Sequence, residues 1–171
     1  MKYRHAFHAG NFADVHKHVT LLALLRALER KDTGFLLLDT HAGRGLYDLA
    51  DADARKGNEA AGGIARLEAA QSGSAQSLAA ELTDYLASIQ QIRSERRDRR
   101  CYPGSPLLGL HALRPQDRAV FIETQPTEHA ALRAAVGKRA TVECADGFQR
   151  LANWLPPRER RALVLIDPPY E

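Results

Sequence analysis

At 171 residues, with 44% hydrophobic and 26% charged side chains, the chain is long enough to bury one sizeable core, which excludes a disordered or fibrous polypeptide. A net charge of +3 and a pI near 9.0 leave an anionic partner open, while Cys101 and Cys144, with no CxxC spacing, exclude a disulfide scaffold and suit a reducing compartment. The polar, His-rich start lacks an apolar signal core and no apolar run reaches membrane-spanning length, so a cytoplasmic protein without membrane contact is expected.

The first stretch, Tyr3-Arg4-His5-Ala6-Phe7-His8-Ala9-Gly10-Asn11, brings cations and aromatics together, followed by Asp14, His16, Lys17 and His18. Tyr and His stack on bases and Arg pairs with phosphate, so contact with a cofactor or nucleic acid is expected here. A zinc site built from His5, His8 and His16 is not expected, because no HxxxH-plus-acid pattern is completed. From Asn11 to Arg30, Val15, Val19, Leu22 and Leu25 recur at helical spacing with Leu21 and Leu28 beside them, which predicts a helix with one buried face.

After Asp32-Thr33-Gly34, the continuous apolar run Phe35-Leu36-Leu37-Leu38 closes on Asp39 and suits a strand buried on both faces of a parallel sheet. Asp39-Thr40-His41-Ala42-Gly43-Arg44-Gly45 then offers a glycine-containing turn that lets backbone approach a nucleotide-like cofactor, although any tight strand-to-helix turn needs the same glycines. Three later segments share the strand character: Ala119–Ile122 closed by Glu123, Thr141–Cys144 closed by Asp146, and Ala162–Ile166 closed by Asp167. Helix-like stretches at Glu128–Val136 and Phe148–Leu155 separate them, giving the alternation of a doubly wound α/β sheet. Ligands of such sheets bind beyond the carboxyl ends of the strands, where the four acids would gather.

Residues 46–100 interrupt this alternation with a segment rich in Ala, Gln, Ser and charge, in which Leu78, Leu82, Tyr85, Leu86 and Ile89 keep helical spacing. They read as an inserted helical subdomain between a core formed by residues 1–45 and 101–171. Arg93, Arg96, Arg97, Arg99 and Arg100 form its basic end, either a phosphate contact or a solvated face. Tyr102-Pro103-Gly104-Ser105-Pro106 returns the chain to the core.

The chemistry rests on Asp167-Pro168-Pro169-Tyr170. The exocyclic amine of adenine is a poor nucleophile because its lone pair is delocalised into the ring. Two acceptors that hold the NH2 release that pair: the Asp167 carboxylate and the Pro168 carbonyl, in a turn whose φ the prolines fix. Tyr170 offers a face for the base and a cation–π contribution to a neighbouring sulfonium. The competing reading is an ordinary turn after a strand. Glu123 is placed for ribose hydroxyls, or is a solvated acid. Asp146-Gly147 is placed for a cofactor adenine, with a helix N-cap as the alternative or additional role of Asp146.

Taken in order, the Tyr3–Asn11 stretch, Asp39-Thr40-His41-Ala42-Gly43, Tyr102-Pro103-Gly104-Ser105-Pro106, Ala145-Asp146-Gly147-Phe148 and Asp167-Pro168-Pro169-Tyr170 resemble the bacterial 23S ribosomal RNA adenine-N6 methyltransferase family along essentially the whole chain. The resemblance implies a Rossmann-like class I methyltransferase sheet with a small helical insertion, S-adenosyl-L-methionine as methyl donor, and an adenine of 23S rRNA as substrate. By motif matching, His18, His41, Ser105, Glu123, Asp146, Gly147 and Asp167 would line the cofactor pocket. Asp167 would be the catalytic acceptor, with Pro168 and Tyr170 beside it, and Tyr3, Arg4 and Lys17 would face the RNA. The alternatives are a DNA adenine-N6 methyltransferase and a non-catalytic RNA-binding module of the same fold. Members of the family continue past this motif through further strands, whereas this chain stops at Glu171. It is therefore expected to be the front part of a longer protein, monomeric at full length, with its fourth strand an open edge.

Overall fold

A computed structural model describes residues 8–51, 58–73 and 77–169. In chain order the elements are α1 (Phe12–Glu29), β1 (Leu36–Asp39), β2 (Leu46–Asp48), a 3-10 turn (Glu59–Gly62), α2 (Ile64–Gly73), α3 (Ala80–Arg96) and β3 (Cys101–Pro103). There follow α4 (Ser105–Ala112), β4 (Arg118–Ile122), α5 (Pro126–Val136), a second 3-10 turn (Gly137–Arg139), β5 (Thr141–Glu143), α6 (Gly147–Trp154) and β6 (Ala162–Leu165).

Four strands form one sheet in the order β5-β4-β1-β6, and every pairing is parallel. The register sets Leu36 opposite both Arg118 and Ala162. Parallel strands in this register finish on the same side, so the acids after β1, β4, β5 and β6 share one edge, as the apolar runs closing on acids predict. β6 is the outer strand on one side of the sheet.

The apolar run of β1 is buried on both faces because alternate residues point to opposite layers. Phe35 and Leu37 join Leu21, Leu22 and Leu25 of α1, Leu107 and Leu108 of α4, Phe121 of β4 and Leu132 of α5 in the main core. Leu36 and Leu38 pack on the other face with Val120 and Ile122, against Leu151 and Trp154. The helices begin where local chemistry starts them: the Asn11 side chain accepts the Asp14 N–H, Pro126 opens α5, and Asp146 accepts the Gln149 N–H.

Residues 46–100 carry the helices α2 and α3, in line with the helical spacing of Leu82, Tyr85, Leu86 and Ile89. Tyr85, Leu86 and Ile89 are buried in the main core with α1, so this segment shares its apolar surface with the sheet layer. One feature is absent from the expected elements: β2 and β3 form a two-stranded antiparallel ribbon, Leu46 opposite Pro103 and Asp48 opposite Cys101. Strands of three residues are too short to display a period of two.

Arg118, at the start of β4, ties the sheet to the loop before β6. Its Nε donates to Glu159 Oε1 at 2.8 Å and its second terminal nitrogen to Oε2 at 3.1 Å, while its guanidinium lies 5.3 Å from the Trp154 ring centroid. The Arg118 hydrogen bonds hold the Glu159 carboxyl down at about 2, so Glu159 stabilises the fold above the ordinary carboxylate range and loses that contribution as pH falls from about 4.5 towards about 2. Glu159→Gln is expected to cost about 1–2 kcal/mol at pH 7, the cost shrinking to near zero at pH 2. Urea unfolding of both proteins at pH 7, 4 and 2 measures this; a cost that does not change with pH would refute the assignment.

Candidate active site

Asp167 leaves the end of β6 and meets α1. Lys17, nearly two turns into that helix past its Asn11 cap, donates from Nζ to Asp167 Oδ2 at 2.8 Å and contacts Asp14 Oδ1 at 2.9 Å. Asp14 is buried at 3% exposure, and its Oδ2 accepts the Gly10 N–H at 3.0 Å. Burial alone would lower the Lys17 pKa, but the two carboxylates outweigh it and hold the ammonium above the ordinary lysine range. The Asp167 side chain remains 38% exposed, and its bond to Lys17 uses one oxygen. Among the described residues no hydrogen bond is made to the other, Oδ1. A half-exposed carboxylate fixed through one oxygen suits an acceptor for an N–H donor.

Asp39 ends β1 at 1% exposure, taking the Ser105 hydroxyl at 2.6 Å and the His41 N–H at 3.1 Å. Burial pushes its pKa up, against the lowering effect of those two donors and of Lys17. Ser105 thus acts at the start of α4 as a clamp on β1. Glu123, after β4, is also buried, and its two oxygens accept the Gly43 N–H at 2.9 Å and the Gln125 N–H at 2.7 Å. Each carboxylate oxygen has a second lone pair, so both can still accept a hydroxyl. The turn itself needs Gly43, whose φ is +62° and whose missing Cβ would stand 2.5 Å from the Tyr47 hydroxyl.

Asp146 caps α6, accepting the Gln149 N–H at 3.0 Å, and its side chain is exposed. The space left by Gly147 is occupied by backbone: a Cβ there would lie 2.1 Å from the Thr40 carbonyl oxygen. The two strand exits are thereby pressed together, and above them His41 packs edge-on against Phe148 with ring centroids 5.0 Å apart.

Lys17–Asp167 and Asp39–Ser105 are thus two bonded pairs whose charges act on one another, and the β1 turn brings Glu123 and Gly147 beside Asp39. His18 sits deeper, 1% exposed, with Nδ1 3.1 Å from the Tyr102 hydroxyl, which in turn lies 2.9 Å from that of Tyr85. Burial pushes both tyrosines up. Pro168 follows Asp167 half-buried. Tyr3, Arg4 and His5, Tyr170 and the zinc reading that used His5 lie outside the described residues. Among the described residues no cluster of three or more His, Cys, Asp or Glu is placed to hold a metal, and no helix is long and apolar enough to cross a membrane. Asp39 stands among the strand-exit acids expected at the ligand edge and Asp14 in the N-terminal contact stretch, but their bonds to Ser105 and Lys17 were not anticipated; the Asp14-to-Lys17 spacing of one helical turn was the available signal for the second.

A four-stranded parallel sheet flanked by helices, with a glycine turn after its first strand and acids at the strand exits, is the Rossmann-like fold of a class I methyltransferase. The protein resembles, with a TM-score of 0.83 and 40% identity, the crystal structure of protein LPL1258 from Legionella pneumophila str. Philadelphia 1, covering 96% of this chain and 59% of that one. The chain belongs to the family described as Ribosomal RNA large subunit methyltransferase D, RlmJ, whose model matches residues 32–171. It is 42% identical over its whole length to a Ribosomal RNA large subunit methyltransferase J from Haemophilus influenzae (strain ATCC 51907 / DSM 11121 / KW20 / Rd), and 44% identical to that of Escherichia coli (strain K12). It spans 60% of the length of each of these relatives.

Proposed function

We propose that this chain carries the methyl-transfer site of an enzyme that methylates the exocyclic N6 amine of an adenine in 23S ribosomal RNA. The observation that supports it most is Asp167, fixed by Lys17 through Oδ2 at the carboxyl edge of the sheet with Oδ1 available. Membership of a family of large-subunit rRNA methyltransferases supports the substrate class.

The residues at the strand exits fit S-adenosylmethionine. Glu123 is a buried carboxylate with spare lone pairs for ribose hydroxyls, the Gly43 turn lets backbone come close, and the exposed ring of Phe148 beside His41 offers a flat apolar face. Bound there, the cofactor supplies an electrophilic methyl group on a sulfonium. Asp167 Oδ1 and the Pro168 carbonyl accept the two N–H groups of the target amine, which turns its lone pair out of the ring plane towards the methyl. Lys17 orients Asp167 through the bond to Oδ2. Asp39, Ser105, His41, Asp146 and Gly147 shape the cofactor side, and His18 supports it from beneath. Tyr170 takes the base, and Tyr3 and Arg4 take RNA from the N-terminal stretch. Residues 46–100, tied at their base by the β2–β3 ribbon, form the insertion in a core of residues 1–45 and 101–171. The protein works as a cytoplasmic monomer.

Competition for labelled methyl groups between protein-free 23S rRNA and duplex DNA tests the substrate class. Label is expected in the RNA; preferential labelling of DNA would replace this reading with a DNA methyltransferase. A protein that binds RNA but shows no heat on titration with S-adenosylmethionine would be a binding module.

A further inference from the structure

The basic end of α3 divides on inspection of its partners. Arg93 is committed within the chain, to the Cys101 carbonyl at 2.8 Å and Glu68 at 2.6 Å, and Arg100 faces Asp48 at 3.4 Å. Arg96 differs. One N–H reaches the Ala135 carbonyl on α5 at 2.6 Å, which holds the guanidinium beside a cavity of about 150 Å³ between α3, α4 and the turn after α5.

Ile92 and Leu107 line that cavity together with Glu95, Arg96, His111 and Arg139. Arg96 keeps further N–H groups beyond the one it donates. His111 and Arg139 make no side-chain hydrogen bond or ion pair with any described residue. Glu95 accepts the Gln91 side-chain amide at 3.2 Å, on its own helix, so the cavity faces two guanidinium charges and an imidazole against one carboxylate. Like charges gathered around a concavity repel one another in the absence of a counter-charge, and guanidinium forks match phosphate oxygens. A volume of this order holds one small group, about the size of benzene, and not a run of nucleotides.

The cavity is separate from the strand-exit site. Ser105 opens α4 beside Asp39, and six residues at a rise of about 1.5 Å each carry the helix roughly 9 Å away before His111. We propose that this cavity is a second anion site that takes one backbone phosphate of the RNA outside the target nucleotide, with Arg96 and Arg139 on the phosphate, His111 adding a ring N–H and the Ile92–Leu107 floor beneath the sugar. The proposal rests on the RNA methyltransferase reading and adds to it a docking point on the helical face of the sheet.

Arg139→Ala removes a phosphate contact without breaking a bond inside the chain. Fluorescence anisotropy with a labelled 23S rRNA fragment, at several salt concentrations, is expected to show roughly three- to tenfold weaker binding and a log–log salt slope shallower by about 0.7–0.9. Arg139→Lys should restore most of the slope, and calorimetry should show S-adenosylmethionine affinity unchanged in both variants. Wild-type protein that binds and methylates the RNA, with Arg139→Ala indistinguishable from it, overturns this site alone. Wild-type protein that neither binds nor methylates RNA overturns the functional reading and this site with it. In the second arm, inorganic phosphate and adenosine monophosphate are titrated into the protein by NMR. A phosphate response at Arg139 with an unchanged RNA slope in Arg139→Ala would assign the cavity to a free phosphate and overturn the RNA assignment.

Discussion

Asp167→Ala is expected to reduce methyl transfer to rRNA by roughly 10³-fold or more, because the lost acceptor acts where charge develops on the target amine. Cofactor affinity should change little, within about threefold, since Glu123, the Gly43 turn and the Asp146–Gly147 exit are untouched. The fold should also survive. Lys17 retains Asp14 at 2.9 Å, and Asp167 is the more exposed of its two partners. Single-turnover labelling alongside calorimetry separates the two effects. Unchanged turnover would refute the catalytic role, whereas loss of cofactor binding in step with turnover would recast Asp167 as a binding residue.

Lys17→Met is expected to lower both stability and activity. The substitution keeps most of the side chain's length and removes its charge, taking the Lys17 ammonium away from Asp14, at 3% exposure, and from Asp167. Breaking one half of a buried ion pair costs about 3 kcal/mol. That corresponds to a fall in Tm of roughly 10 °C for a domain of this size. Because the carboxylates hold Lys17 protonated beyond the ordinary lysine range, this contribution is fully present below that range and is lost as pH rises through it into strong alkali. Methyl transfer should fall even below the melting transition, since Asp167 loses the bond that orients it. A variant with native Tm and native turnover would show that the Lys17 bridge is incidental.

The sheet was legible because its information is local. The run Phe35–Leu38 reads as a strand buried on both faces, and its closing Asp39 marks the strand exit; the same holds for Val120–Ile122 with Glu123 and Leu163–Leu165 with Asp167. α1 was legible from the spacing of Val15, Leu22 and Leu25. The β2–β3 ribbon was not, since its pairing joins residues more than fifty positions apart and neither strand is long enough to show alternation. The charge linkage at the site was half legible. Asp14 and Lys17 are one helical turn apart, but Lys17 to Asp167 is a tertiary contact between the start and the end of the chain, and no periodicity encodes it. Residue type likewise said little about the arginines: Arg93 and Arg96 look alike in sequence, and only their neighbours separate the one bound to Glu68 from the one beside a cavity.

The most direct test of the central claim is to incubate the protein with methyl-labelled S-adenosylmethionine and protein-free 23S rRNA, digest the RNA to nucleosides and identify the labelled species. The account predicts label in N6-methyladenosine, absent when Asp167 is alanine; label in another nucleoside, or none in RNA, would contradict it.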